Sequence, residues 1–361
     1  MIAQKIQRIQ HLLQAHHVDG LFVANGGHQI HDDVLYYLLL EHLEFGYLFV
    51  PARGKATLFT IPFERDELGT KHPSLRVLPI THPLEQLLKP ILPKKGSVAF
   101  RTGAIPHRVG VMLKKTFNHC TWKEWEYDGI LFGSKLKEEI SAMKAAAKTT
   151  DRIFDDLITA WPNFHTELDA ARYIMERTHA YGVESSFPPI VASGKNGAHP
   201  HHQPKKILLR RGFCVIDMGV RQHGYCSDMT RTIYIGSPTQ KEKGVYRLLQ
   251  TAQEETVRLV RPGVTTDTLD QYCRDRLGAI DRYFIHGLGH GVGTQVHEWP
   301  SVGRKHSIPL TKGMVITIEP GIYIPHTYGI RIEDDILVTD TGHDMLTRSP
   351  KDLLLVSSKK R

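Results

Sequence analysis

A chain of 361 residues that is 41% hydrophobic and 23% charged is long enough for two domains with sizeable cores and has the balance of a globular protein. Its longest apolar run, residues 34–40, is far shorter than the ~20 residues that cross a bilayer, so no membrane span and no membrane partner are expected. The net charge of +8 is scattered: the densest cluster, Lys205 and Lys206 with Arg210 and Arg211, is interrupted by Ile207, Leu208 and Leu209. No recognition motif accompanies it, which argues against a nucleic-acid partner.

At the start of the chain Ile2, Ile6, Ile9 and Leu12-Leu13 fall on one helical face, and no continuous apolar core of an export signal is present. Cys120, Cys214, Cys226 and Cys273 lie far apart without a CxxC, so neither a disulfide framework nor a zinc ribbon is indicated. A cytoplasmic location is expected. Strand-like runs follow at residues 20–24, 46–51 and 56–60, with a helix over 32–41, and the pattern predicts a mixed α/β domain over residues 1–132. His28, His31 and His42 in this region are read as satisfying local hydrogen bonds, not as metal ligands.

The pattern changes at Lys135, where Leu136, Ile140, Met143, Ala147, Phe154 and Leu157 keep the stagger of a long amphipathic helix and open a second domain, residues 133–361. Trp161-Pro162 ends that helix, and Thr166 with Asp169 forms a capping pair for the next, over 167–179. A strand at 189–193, a glycine-rich loop and a hairpin over 212–235 follow. The order then recurs in outline. A helix over 245–260 is broken by Pro262-Gly263, another is capped near Thr266 or Asp267, and glycine-rich segments lead to a second hairpin over 314–338. This recurrence predicts an internal pseudo-twofold.

Both hairpins carry acids. If Val220 pairs with Tyr225 across the polar loop 221–224, Asp217 stands opposite Asp228. Directly opposed residues have Cβ atoms about 4.5–5.5 Å apart, so two carboxylates there repel unless a cation lies between them. The competing reading is a pair of solvated acids near a turn. In the second hairpin a loop centred on His326 sets Glu319 opposite Glu333, although Pro320 cannot donate to the ladder. Between the hairpins His286, His290 and His297 sit in a glycine-rich frame that lets backbone approach a ligand closely. Four carboxylates and one imidazole can hold two divalent ions about 3.5–4 Å apart. Such an oxygen-rich shell favours Mn²⁺, with Co²⁺ or Zn²⁺ also compatible.

These segments resemble the proline-specific metallopeptidases of the pita-bread fold, the Xaa-Pro aminopeptidases and Xaa-Pro dipeptidases (prolidases). The resemblance is carried by VASGKNGAHPHHQP, the DMG and SDMTRT strands, HGLGHGVG with VHEWP, TIEPGIYI, GIRIEDD and LTRSPKDLLLV. It implies an α/β (α+β) chain with a creatinase-like N-terminal domain and a C-terminal pita-bread domain. It implies Asp217, Asp228, His290, Glu319 and Glu333 as metal ligands, with Asp228 and Glu333 bridging and Glu319 also accepting a proton. His201 and His297 match histidines that stabilise the tetrahedral intermediate and handle protons; Arg331 and His286 match supporting positions behind the ligands.

The activity implied is hydrolysis of the Xaa-Pro bond at the N-terminus of peptides through a dinuclear metal-bound hydroxide, with dipeptide cleavage as the alternative and a homodimer as the assembly. The preceding domain disfavours a methionine aminopeptidase, whose minimal members resemble the second domain alone. The filled ligand set disfavours both creatinase, which works without metal, and a non-catalytic binding module of the same fold. Thr294, Trp299 and the His326-Thr327-Tyr328 turn depart from the family pattern and are expected to border the substrate site.

Overall fold

The computed structural model describes residues 1–26 and 32–357, so His28 and His31 lie outside the described residues. The chain divides into two compact units, Met1–Leu131 and Phe132–Arg361. Among the described residues no helix is long and apolar enough to cross a membrane.

In the first unit the opening helix Ile2–Ala15 buries Ile6, Ile9 and Leu13, the stripe its spacing requires. A six-stranded sheet runs in the order Arg76–Pro79, Thr57–Thr60, Phe45–Pro51, Gly20–Gly26, Gly96–Phe100, Cys120–Glu124. The helix read over 32–41 is shorter, Asp33–Leu39: Asp32 caps it by accepting from the Val34 amide, and Leu40 leaves it in the left-handed region at φ 58°. His42 stacks on Tyr36 with ring centroids 4.4 Å apart.

The second unit is built twice over. Helix Lys137–Ala160 buries Met143, Ala147, Phe154 and Leu157, while Leu136 and Ile140 are only half-buried. Helix Glu167–Ala180 opens on the expected reciprocal cap between Thr166 and Asp169. Their counterparts are Gln240–Arg258 and Thr266–Leu277. The first of these starts earlier than its apolar periodicity indicates, because Thr239 and Glu242 form a capping box of their own. The second is capped at Thr265, not Thr266 or Asp267; the Thr266 hydroxyl instead donates to the His306 carbonyl at 2.7 Å.

Each helix pair covers a sheet. One has the order Leu355–Val356, Met229–Ile235, Gly212–Met218, Ile190–Ser193; the other runs Glu298–Val302, Gly289–Gly291, Val315–Ile318, Asp334–Val338, His343–Met345. Apolar side chains fill the space under the helices, with Phe154, Leu157, Ile174 and Ile216 in one core and Leu249, Leu269, Ile316 and Ile336 in the other. Burying each such side chain stabilises the fold by about 1.5–3 kcal/mol. Where the sheets meet, the Glu333 amide donates to the Thr230 carbonyl at 3.1 Å, so the acid-bearing ends of both hairpins face one place.

The first hairpin departs from the register expected of it. Gln222 pairs with Tyr225 across a tight His223-Gly224 turn, and Asp217 pairs with Thr230, not with Asp228. His223 and Gly224 both have positive φ, 51° and 81°, the geometry of a short primed turn. The four-residue loop read from the sequence therefore shrinks to two. Because the partner changes by two positions, Asp217 and Asp228 remain on one face of the ribbon. In the second hairpin, Val315–Ile318 with Asp334–Val338 and Gly321–Ile324 with Tyr328–Arg331 share one register, the one that sets Glu319 against Glu333.

A carboxylate and histidine cluster in a cavity of the second unit

Asp217 and Asp228 are 8% and 4% exposed, which disposes of the solvated-turn reading. They line a cavity of about 580 Å³ together with His290, Glu319 and Glu333. The supporting positions His201, His286, His297 and Arg331 line the same cavity. Thr294, Trp299 and the His326–Tyr328 turn do not. Thr294 is buried with its hydroxyl on Glu298 at 2.9 Å; the Trp299 ring packs beside Gly133, where an added Cβ would lie 2.7 Å from it; Tyr328 packs on Phe213 with centroids 5.1 Å apart. The Thr294, Trp299 and Tyr328 side chains serve packing and His326 and Thr327 are exposed at the turn, and the expectation that these positions border the substrate site is withdrawn.

Asp228, Glu319 and Glu333 reach the cavity from breaks in the ladders, and Asp217 from the paired stretch beside one, opposite Thr230. Gly219 separates Asp217 from the hairpin tip because its backbone passes so close to Ser227 that a Cβ would lie 1.9 Å from the Ser227 carbonyl oxygen. Glu319 and Glu333 sit in the gap between the two paired stretches of the second hairpin. His290 is carried on the short strand Gly289–Gly291, with its amide donating to Thr317 Oγ1 at 3.0 Å. The ring Nδ1–H donates to the Gly291 carbonyl at 3.1 Å, which leaves Nε2 turned to the acids, 3.3 Å from Glu319 and 3.7 Å from Asp228.

A second ring of polar contacts fixes these groups. Arg331, 4% exposed, donates to Asp217 Oδ2 at 2.7 Å, Thr230 Oγ1 at 2.9 Å and Tyr323 OH at 2.8 Å. Thr230 Oγ1 in turn donates to Glu333 Oε2 at 2.6 Å, and His286 Nε2 meets Tyr323 OH at 2.9 Å. Behind Asp228, its own amide donates to Asp335 Oδ2 at 2.9 Å. Asp335, Tyr323, Thr230 and Thr317 were not singled out by sequence reasoning. In the Glu333-Asp334-Asp335 run the strand's alternation carries the signal for Asp335, since residues two apart share a face.

The electrostatics are those of a site built for positive charge. Burial, then repulsion from Glu333 and Asp217, hold Asp228 well above the ordinary carboxylate range. Burial, then Glu319 and Asp217, do the same for Glu333, and burial raises Asp217 against the opposing Arg331. Burial also pushes Glu319 upward, but the hydrogen bond and charge of His290 outweigh it and leave Glu319 below its usual range. Asp217 Oδ1, Asp228 Oδ1, Glu333 Oε1 and Asp335 Oδ1 are buried without a hydrogen-bond partner among the described residues. Buried polar atoms are normally satisfied, and orphaned carboxylate oxygens are the most costly to leave so. Ligand atoms of Asp228, His290 and Glu333 lie within 4.8 Å of one another. The donor set therefore fits divalent cations.

Known proteins share this architecture. The metallopeptidase family M24 matches residues 141–340, and the creatinase/prolidase N-terminal domain matches residues 5–127. An Xaa-Pro dipeptidase of Pyrococcus horikoshii is 31% identical over 97% of this chain and 99% of its own length. An uncharacterised peptidase of Staphylococcus epidermidis is 39% identical over 60% of this chain, an alignment that spans 63% of that protein. The solved structure of an Xaa-Pro dipeptidase from Bacillus anthracis superposes with a TM-score of 0.90 at 27% identity, covering 99% of this chain and 100% of that one. The fold is that of the pita-bread metallopeptidases with a creatinase-like domain before it, and the chain belongs to metallopeptidase family M24.

Proposed function

We propose that this protein hydrolyses the Xaa-Pro bond of peptides with proline in the second position, using two divalent cations held by Asp217, Asp228, His290, Glu319 and Glu333. The observation that carries the reading is the convergence of these side chains, with orphaned carboxylate oxygens among them, on one cavity of about 580 Å³. Mn²⁺ suits the oxygen-rich set best, with Co²⁺ or Zn²⁺ as alternatives. Bound there, the ions would supply Lewis acidity and an acidified water.

The chain's own residues supply the rest. Glu319, kept ionised by its partner His290, is a proton acceptor at neutral pH. Burial and the neighbouring His290 lower His297, whose ring centroid lies 4.4 Å from that of His290. A neutral imidazole at pH 7 can donate a hydrogen bond to a developing oxyanion. His201 faces the same cavity from another loop and is assigned the matching role for the leaving group. Arg331 orients Asp217 and, through Tyr323, the His286 ring.

The Xaa-Pro dipeptidases among the relatives support dipeptides as substrates. Trimming of longer peptides in the manner of an Xaa-Pro aminopeptidase is the second reading, supported by Ile285, which lines the cavity yet is 66% exposed and leaves the rim open. Catalysis is assigned to residues 133–361 as a C-terminal domain, with residues 1–132 as a creatinase-like domain in a homodimer. Cytoplasmic residence is supported by four free, buried cysteines.

The test is turnover of Ala-Pro against Ala-Pro-Ala by Mn²⁺-loaded protein. Glu319→Ala is expected to reduce either rate by roughly 10³-fold, within the range for loss of a proton-transfer group, while circular dichroism stays native. Full activity in that variant would sink the assignment. Sedimentation velocity checks the dimer.

A further inference from the structure

An exposed loop histidine such as His201 can serve a reaction only if something fixes the loop. Glu167, at the start of helix Glu167–Ala180, is fully buried and is not part of the cavity wall. Its Oε1 accepts from the Ser193 amide at 2.8 Å, the Ser193 hydroxyl at 3.0 Å and Asn196 Nδ2 at 2.9 Å. Its Oε2 accepts from His202 Nε2 at 2.8 Å and from the Lys205 amide at 3.4 Å. All these donors lie on one segment, residues 193–205, and they flank His201 on both sides.

Two further contacts close the same segment. Gly197 runs against the second hairpin, where an added Cβ would lie 3.0 Å from the Gly329 amide, and the Pro200 carbonyl accepts from Arg331 at 3.4 Å. We propose that Glu167, acting through His202, is a positioning residue for His201. This rests on the reading above that His201 assists hydrolysis.

The physical reason is the cost of the alternative. A carboxylate with no exposure must keep its donors, because stripping them leaves a buried charge unpaired. Three of the five donors, on Asn196, His202 and Lys205, come from the loop beyond the strand end at Ser193, so a loop conformation that withdraws them carries that penalty. His202 is the immediate neighbour of His201, so the contact of its ring with Glu167 anchors the backbone one residue from the one that carries the His201 side chain. The segment is thereby held to one backbone path, on which His201 is exposed and lines the cavity.

A double-mutant cycle distinguishes positioning from general support of the fold. Glu167→Gln is expected to lower kcat about 10–100-fold, the usual scale for a residue that orients a functional group. In a His201→Ala background the same change should lower it no further. Independent losses that multiply in the double variant, or wild-type kcat in Glu167→Gln, would overturn the proposal. Should Glu167→Gln fold poorly, His202→Gln, which keeps a donor, should retain activity where His202→Leu does not; equal activity of the two also overturns it.

Acylation by diethyl pyrocarbonate, read by mass spectrometry on metal-free protein, gives a measurement without turnover. His202 should react at least about tenfold more slowly than exposed His199, and Glu167→Gln should erase that gap, a change of the same order as the loss of orientation. An unchanged His202 rate overturns the tether whether or not the enzyme is active. Absence of any Xaa-Pro hydrolysis in the wild type overturns instead the reading of the cavity.

Discussion

In the first hairpin the ladder is interrupted where Gly219 meets Asp228; in the second it is interrupted where Glu319 meets Glu333, and in both the pairing resumes in the same register beyond the gap. The causes differ. At Gly219 the two backbones approach too closely for any side chain, whereas beyond Glu319 the ladder meets Pro320, which has no donor to give. One hairpin breaks by steric contact and the other by a missing hydrogen bond, yet each break lies among acids that line the same cavity. Interruption of pairing re-aims side chains, and in both ribbons it falls among the acids that line the cavity.

If the two ribbons are equivalent, an acid removed from either should have the same consequence. With Mn²⁺ at about a thousandfold excess over Kd, binding stabilises the fold by roughly 4 kcal/mol; Asp228→Asn and Glu333→Gln should each abolish that gain in thermal melts. In the metal-free protein at pH 8 both should raise the melting temperature, since burial and like-charged neighbours hold each carboxyl well above its ordinary range, which disfavours the folded form once the pH exceeds that range. A variant that keeps the Mn²⁺ response breaks the equivalence.

The steric break is the more fragile. Gly219→Ala must push a methyl into the Ser227 carbonyl, an overpacking cost of about 3 kcal/mol. Pro320→Ala removes no clash and should cost under about 1 kcal/mol, as most substitutions away from such features do. Urea titrations of the two variants set the difference, and comparable losses would show that close approach is not what shapes the first ribbon.

Asp335, behind Asp228, gives a pH signature. Burial pushes its carboxyl up to about 8. A raised folded-state value favours the folded form at low pH, and that contribution fades as pH climbs from the ordinary carboxylate range to about 8. Metal-free protein should therefore lose stability across that window, and Asp335→Asn should flatten the loss; a profile unaltered by the substitution contradicts the account.

The smallest effects lie at the tips. His223 and His326 hold positive φ, 51° and 60°, which asparagine adopts more readily. His223→Asn and His326→Asn should each gain roughly 0.5 kcal/mol, and a loss at one tip alone would show that its histidine makes a contact worth more than the strain.

Much of this was legible in the residues. Helical stripes located the long helices, and nine chemistry-bearing side chains chosen from the sequence line one cavity. The first register was missed because Asn-Gly is the strong signal for a two-residue turn, and here a histidine stands in the asparagine's place. The second was read correctly because its register is kept through the proline. Thr294 and Trp299 were misplaced because nearness to His297 along the chain says nothing about direction when the backbone between them turns. Glu167 was invisible as a functional residue: its partners lie 26 to 38 positions away, and no local period records such contacts.

Arg231 has a role in keeping this arrangement single-valued. It is 2% exposed and donates to the carboxylate of Asp334 at 2.6 Å and to the carbonyls of Thr230 and Ser349. Because Asp334 lies between two acids of the opposite orientation, a slip of that strand by one place would present the wrong carboxylate to the cavity. It would also strand a guanidinium in a dry interior. The buried cation thus acts as a ratchet pawl, permitting one tooth of the acidic triplet and penalising its neighbours.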